Sequence, residues 1–209
     1  MKALNVRFIE ELVADKNQLL KLAEVLPENK IDCVSWKGFP YRPNVTFKIA
    51  QSASALFIRF DVEEKALRVN NFASNEPVYE DSCVEFFISF RDQYYYNLEF
   101  NAIGVALVGY GTKDKDSRKR LTAERISQIK TYSHISKDAG QDVKWNLMLY
   151  IPLALFEEEK ISTLKGNSYT ANFYKCGDEL PEPHYVSWSP IQADEPNFHL
   201  PEFFGTLIF

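Results

Sequence analysis

The chain has 209 residues, of which 45% are apolar, 25% charged and 14% aromatic, and 24 Lys and Arg face 29 Asp and Glu for a net charge of −5. This composition closes a sizeable core and excludes a disordered chain, whose few apolar side chains cannot offset chain entropy. It also lacks the basic excess of a nucleic-acid binder, and no apolar run approaches the roughly 18–20 residues of a membrane helix. Neither nucleic acid nor membrane is therefore an expected partner. The 16 Phe, 11 Tyr and 3 Trp suit strands and ligand-contacting faces alike.

Met1-Lys2-Ala3-Leu4 is followed by Asn5, Arg7, Glu10 and Glu11, so no signal peptide is read. The chain reads as cytoplasmic, or as periplasmic or secreted if a leader has been removed. Asp15–Leu26 is the best helix, with Asp15 as N-cap and Gln18 at the capping-box position. Cys33, Cys83 and Cys176 are odd in number and widely spaced, without a CxxC pair. They read as reduced core residues, not as a disulfide framework or a zinc motif.

Period-2 patterns then dominate. Val45, Phe47 and Ile49 alternate with Thr46 and Lys48, and Leu56, Ile58 and Phe60 with Arg59 and Asp61. The stretch 51–54 between them reads as a hairpin turn. Further strands are expected near 66–71, 83–90, 94–101, 103–110, 123–133, 143–150, 168–176 and 205–209, and a short helical turn at Pro152–Phe156. The mixed-charge run Gly111–Arg120 reads as a solvated loop within one domain spanning 1–209. Many strands and little helix predict an all-β, two-sheet β-sandwich of immunoglobulin-like or jelly-roll type. A doubly wound α/β fold would need a crossover helix between strands, and there is no room for one.

The segments 83–90 and 94–101 form the most informative hairpin. With a three-residue loop, Phe90 faces Tyr94, Phe86 faces Leu98 and Val84 faces Phe100, an apolar face for the core. The other face pairs Ser89 with Tyr95, Phe87 with Asn97 and Glu85 with Glu99, with Asn101 ending the row. Like charges across a strand pair repel, so a cation or a hydrogen-bond-donating ligand is expected to offset the two glutamates.

The motif Tyr79-Glu80-Asp81-Ser82-Cys83-Val84-Glu85-Phe86-Phe87-Ile88 resembles the W-x-x-D-S-V-E-x-F signature of carbohydrate-binding module family 9, a DOMON-like group of β-sandwiches. The tail, Val186-Ser187-Trp188-Ser189-Pro190 and then Phe198-His199-Leu200-Pro201-Glu202-Phe203-Phe204-Gly205-Thr206-Leu207, resembles the family's closing motif. Ala171–Asp178 is similar to the preceding strand in a bacterial stand-alone branch.

The resemblance implies non-catalytic binding of a mono- or oligosaccharide, often at the reducing end of a chain, beside separate glycan-degrading enzymes. It places Tyr79 and Phe198 where two aromatics hold the sugar, commonly both Trp, and Glu85 and Asn101 where hydroxyls are bonded. Glu99 stands where well-known members carry Arg. Calcium sites occur in the family, but their ligands are not placed in this chain, and no other cofactor is implied.

Read from the residues alone, Lys175 is a candidate cation for Glu85 and Glu99, and His199, beside Phe198, a candidate ligand contact. Trp145 and Trp188 read as core, and Trp36 as packed under a loop. A zinc set from Cys176, His184 and His199 has no recognised spacing. Two alternatives stand beside sugar binding. One is a glycoside hydrolase using Glu85 and Glu99, against which both acids share one solvated face with nothing to separate their pKa values. The other is a protein-interaction sandwich with a vestigial sugar site. Oligomeric state stays open.

Overall fold

The computed structural model describes residues 2–91, 93–137, 139–140 and 142–209. In chain order its elements are β1 (Ala3–Asn5), β2 (Arg7–Phe8), α1 (Lys16–Val25), β3 (Asn29–Lys30), β4 (Cys33–Val34), β5 (Asn44–Gln51), β6 (Ala55–Glu64), β7 (Cys83–Arg91), β8 (Tyr94–Asn101), β9 (Ala106–Gly111) and β10 (Lys119–Arg120). There follow α2 (Ala123–Ile126), β11 (Lys130–Lys137), β12 (Val143–Pro152), β13 (Ser168–Cys176), β14 (Tyr185–Ser187) and β15 (Gly205–Ile208). The larger sheet runs β1-β15-β13-β7-β8-β9-β10, with β14 beside β13 and β4 beside β14. The smaller runs β11-β12-β6-β5-β2, with β3 beside β5. No helix among the described residues is long and apolar enough to cross a membrane.

The two sheets form the expected β-sandwich. Val84, Phe86, Ile88, Leu98, Phe100 and Phe173 of the larger sheet meet Phe47, Ile58, Phe60, Trp145 and Leu147 of the smaller one. Phe47 stacks on Phe173 at 3.7 Å, and the Trp188 ring stands edge-on to both. The outer face of each sheet is covered as well. Helix α1 closes the smaller sheet with Leu19 and Ala23 against Phe57 and Met148. Asp15 caps this helix by accepting from the Gln18 amide (2.9 Å), while the Gln18 side chain accepts from Val13 N and not from the N-cap. Over the larger sheet folds the segment 189–204, whose Ile191, Phe198 and Phe204 join Trp36, Phe87, Tyr95 and Tyr174 in a second apolar cluster. Trp36 lies under this loop and donates Nε1 to Ala193 O at 2.9 Å.

The hairpin register is as the pattern predicts from Val84↔Phe100 to Ile88↔Tyr96, Glu85↔Glu99 included. At the tip it differs: Arg91, not Phe90, faces Tyr94, because the register slips between Ile88 and Arg91. The Ser89 hydroxyl donates to the Arg91 and Tyr94 carbonyls (2.6 and 2.7 Å) and holds this bulge, so Ser89 does not face Tyr95. Residues 66–71 are irregular instead of a strand. The Asp81 carboxylate accepts from the Asn70 and Asn71 amides and from Arg68, which turns that backbone away from any ladder. Within 123–133, Thr122 caps the short helix α2 and the strand begins only at Lys130.

Lys175 does not face Glu85 and Glu99. It pairs with Val84 and shares the core side of β13 with Phe173. There its ammonium meets Glu64 at 2.9 Å, with both side chains fully buried, and lies 2.9 Å from His184 Nε2. The Trp145 indole N–H donates to the other Glu64 oxygen at 2.7 Å. Burial and the adjacent Lys175 hold His184 down to about 3, so the ring is neutral and accepts from the ammonium while its Nδ1 bonds the Glu182 carbonyl. A buried pair is costly to break singly, because the survivor stays charged in a dry site. Lys175→Met is expected to lose about 3–5 kcal/mol in urea unfolding. Adding Glu64→Leu to it should recover a large part, and strict additivity of the two losses would refute the pairing.

Candidate functional site

The outer face of β7 and β8 forms a pocket floor. Register places Glu85 and Glu99 side by side there, only 3% and 4% exposed. Glu99 Oε1 accepts from Asn97 Nδ2 at 2.8 Å, and Asn97 Oδ1 accepts from Arg118 Nη2. Gly109 of β9 makes room for this relay, since a Cβ there would lie 2.6 Å from Asn97 Oδ1. The Arg118 guanidinium stacks 4.0 Å over the Tyr95 ring and donates to the Thr112 and Tyr95 carbonyls. Glu99 Oε2 and Arg118 Nε are buried with no hydrogen-bond partner among the described residues. Glu85 Oε1 accepts from the Cys176 thiol at 3.1 Å.

Burial governs the protonation of these groups. It raises the Glu85 carboxyl well above the usual range, helped by Cys176 and the facing Glu99. The Glu99 carboxyl rises only to about 6, because the Asn97 hydrogen bond and the charges of Arg120 and Arg118 oppose burial. Asp178 also rises to about 6 by burial, against a hydrogen bond from Tyr185. The two glutamates therefore share a buried face, not the solvated one the pattern suggests, and their environments differ.

Tyr79, Phe198 and His199 stand around this floor, in a pocket of about 360 Å³ that also takes in Glu85 and Glu99. Tyr79 sits in a 3₁₀ turn (Val78–Glu80) anchored by buried Val78, and its carbonyl accepts from Asp178 N. Tyr79 is 37% exposed at the edge of the pocket. Phe198 is 8% exposed and lies flat on Tyr174 at 4.1 Å, a backed wall rather than a free plate. A 2.8 Å hydrogen bond joins His199 Nδ1 to the Tyr95 hydroxyl, and burial and three nearby basic residues lower the ring to about 3.

Two predicted site residues lie elsewhere. Lys175 is on the core side of the sheet, as described. Asn101 is on the right face but fully buried, donating to Asp81 Oδ2 and the Asn71 carbonyl and accepting from Val105 N. It holds the loop before β7 and does not line the pocket. Cys176, His184 and His199 do not form a zinc set, since His184 is bonded to Lys175 on the core side.

Asn97, Lys115, Arg118, Arg120, Asp178 and Tyr185 also line the pocket. Lys115, Arg118 and Arg120 belong to the run read as a solvated loop. The available signal was the unexplained Glu85–Glu99 pair, which calls for cations close by.

The model for carbohydrate-binding family 9 matches residues 15–209. No curated protein matches the chain. Among solved structures, a "putative carbohydrate-binding protein" from Bacteroides uniformis ATCC 8492 is similar at 33% identity and a TM-score of 0.92, over 100% of this chain and 99% of that one. A family 9 module from Caldicellulosiruptor kristjanssonii is similar in fold at 14% identity. Its glucose complex gives a TM-score of 0.64 over 99% of this chain and 95% of that one. Its cellotriose complex gives 0.63 over 99% and 93%.

A carboxyl raised from about 4.3 in an unfolded chain to about 6 here favours folding while protonated. That contribution is complete below about pH 4 and is lost as pH rises through about 6. Glu99→Gln stays neutral and can keep the Asn97 bond. It should exceed the native protein in stability by about 2 kcal/mol at pH 7.5 and match it at pH 4 in urea unfolding. A stability difference that does not change with pH would refute burial of the charge as its cause.

Proposed function

We infer that the pocket of this chain, which belongs to carbohydrate-binding family 9, binds a mono- or oligosaccharide without cleaving it. The observation that carries this reading is the floor beneath an aromatic rim, where Glu99 Oε2 and Arg118 Nε are buried and unpartnered by the described residues. A buried polar atom without a partner costs roughly 1–3 kcal/mol. A sugar hydroxyl donates one hydrogen bond and accepts others, so sugar hydroxyls suit an acceptor and a donor alike. Bonds to a carboxylate and a guanidinium are charge-assisted. The apolar C–H face of a pyranose packs on aromatic rings, and Tyr79, Tyr185 and Phe198 supply them in the lining. The Caldicellulosiruptor relative, bound to glucose in one structure and cellotriose in another, makes gluco-configured sugars the first to test. Service beside glycan-degrading enzymes is the physiological setting proposed.

Hydrolysis is the second reading, favoured by the unequal environments of Glu85 and Glu99. Register opposes it. Facing residues on one sheet face reach a ligand from the same side, whereas glycosidase carboxyls flank the scissile bond.

Isothermal titration with a panel of mono- and oligosaccharides, with and without calcium, tests the reading. Saturable binding at one site is expected, with no reducing sugar released. Tyr79→Ala should weaken it about tenfold through lost aromatic contact, and Glu99→Gln by about 10–100-fold through a lost charged acceptor. No heat across a broad panel would overturn sugar binding. Reducing-sugar release abolished in Glu85→Gln would establish hydrolysis instead.

A further inference from the structure

Among the described residues, one group of metal-ligating atoms converges: Cys83 Sγ, Cys176 Sγ and a Glu85 oxygen all lie within 4.8 Å of one another. All three side chains are buried, and Cys176 and Glu85 line the pocket. The convergence is built into the ladder. Cys83 and Cys176 are facing partners on β7 and β13, and Glu85 follows Cys83 by one strand period on the same face. The third cysteine is apart from them: Cys33 of β4 donates to the Trp188 carbonyl at 3.3 Å.

Packing alone accounts poorly for this arrangement. A buried thiol in a purely packing role sits among hydrocarbon. Here the Cys176 sulfur is 3.1 Å from Glu85 Oε1 and 3.7 Å from the Tyr79 carbonyl. Bond lengths of about 2.3 Å to sulfur and about 2.0–2.2 Å to oxygen hold tetrahedral ligand atoms roughly 3.3–3.8 Å apart. Spacings of 3.1 Å and no more than 4.8 Å need only side-chain adjustment to reach that range.

We propose that Cys83, Cys176 and Glu85 form a site for a thiophilic divalent cation, zinc by its chemistry, in the pocket floor with the fourth ligand position toward the pocket. Two sulfurs and one oxygen select zinc over calcium, which takes 6–8 oxygen ligands. Binding replaces the two thiol protons and any carboxyl proton by the metal, leaving one net negative charge over two thiolates, a carboxylate and the dication. Arg118 and Arg120, which line the same pocket, are the cations placed to balance it. Three protein ligands and an open fourth position are the pattern of a reactive or ligand-accepting zinc. The proposal stands on the ligand geometry and does not depend on sugar binding.

The test uses the full chain, reduced with a phosphine and freed of metal by chelation, then titrated with Co²⁺ and afterwards Zn²⁺. One Co²⁺ per chain is expected, with a thiolate-to-cobalt charge-transfer band in the near ultraviolet that Zn²⁺ abolishes by displacement. Cys33→Ser should keep the band. Cys83→Ser combined with Cys176→Ser should lose it, and Glu85→Gln should keep it while weakening Zn²⁺ by at least about tenfold. Zn²⁺ should raise the melting temperature of the wild type and not of the double variant. The proposal is overturned by a wild type with no band, by a band that survives loss of both cysteines, or by a Cys83–Cys176 disulfide as the resting state of the purified protein. The wild-type spectrum decides the matter even if the double variant does not fold.

Discussion

From Cys83 to Ser89, strand β7 buries the side chains of both its faces. It lies between β13 and β8 in the middle of the larger sheet, with the smaller sheet against one side and the segment 189–204 over the other. A strand offers its side chains to two faces in alternation, so both sets are committed. Val84, Phe86 and Ile88 go to the core, and Cys83, Glu85 and Phe87 to the pocket side. A slip by one residue would carry Glu85 into hydrocarbon and Phe86 onto the pocket floor. An unpaired carboxylate buried that way costs several kcal/mol, comparable to the net stability of a domain. The apolar core thus holds Glu85 opposite Glu99, although neither residue touches it.

From that constraint follows the electrostatic character of the site. The two carboxyls cannot separate, so the protein surrounds them with donors. Asn97 serves Glu99 directly and Arg118 serves it through Asn97, and Arg118 is itself fixed by two carbonyls and the Tyr95 ring. The balance stays incomplete, as the raised Glu85, Glu99 and Asp178 carboxyls show. Groups held against their own solvation mark sites kept for function at some cost in stability. The neighbouring Asp81 has a different task. With Asn101, Asn70 and Asn71 it clamps the loop ahead of β7 and so fixes the 3₁₀ turn that carries Tyr79.

Much of this was legible in the residues. Alternation at 45–49, 56–60, 83–88 and 96–100 named the core faces and set Glu85 against Glu99, because hydrophobic period and register are one signal. Asp15 identified its helix through a local cap. Failures came where a distant contact decides. Residues 66–71 carry strand-like residues, yet the Asp81 carboxylate takes their amides. The hairpin tip looked like a plain three-residue loop, but one hydroxyl, Ser89, sustains a bulge. Lys175 seemed free to answer two glutamates, while its parity on β13 gives it to Glu64. Arg118 and Arg120 hid in a run whose charges look solvated, since nothing local shows that β10 folds back along β9 to bring them over Glu99.

The inequality between Glu85 and Glu99 bears on the proposed binding as much as on catalysis. Two ionised carboxylates side by side would offer a ligand acceptors only, and would repel. Burial favours a protonated Glu85, while Asn97 and the arginines favour an ionised Glu99. In the metal-free protein a protonated Glu85 would set a donor beside that acceptor, the pattern that complements neighbouring hydroxyls of a sugar ring. Glycosidic cleavage needs its two carboxyls to flank the scissile bond. Tyr79, Tyr185 and Phe198 line the same pocket, and Asp178, the remaining acid of the lining, is engaged by Tyr185. On the proposed reading, unequal protonation on a single sheet face orients a hydroxyl pair, and the aromatic side chains of the lining give the sugar ring a surface to pack on.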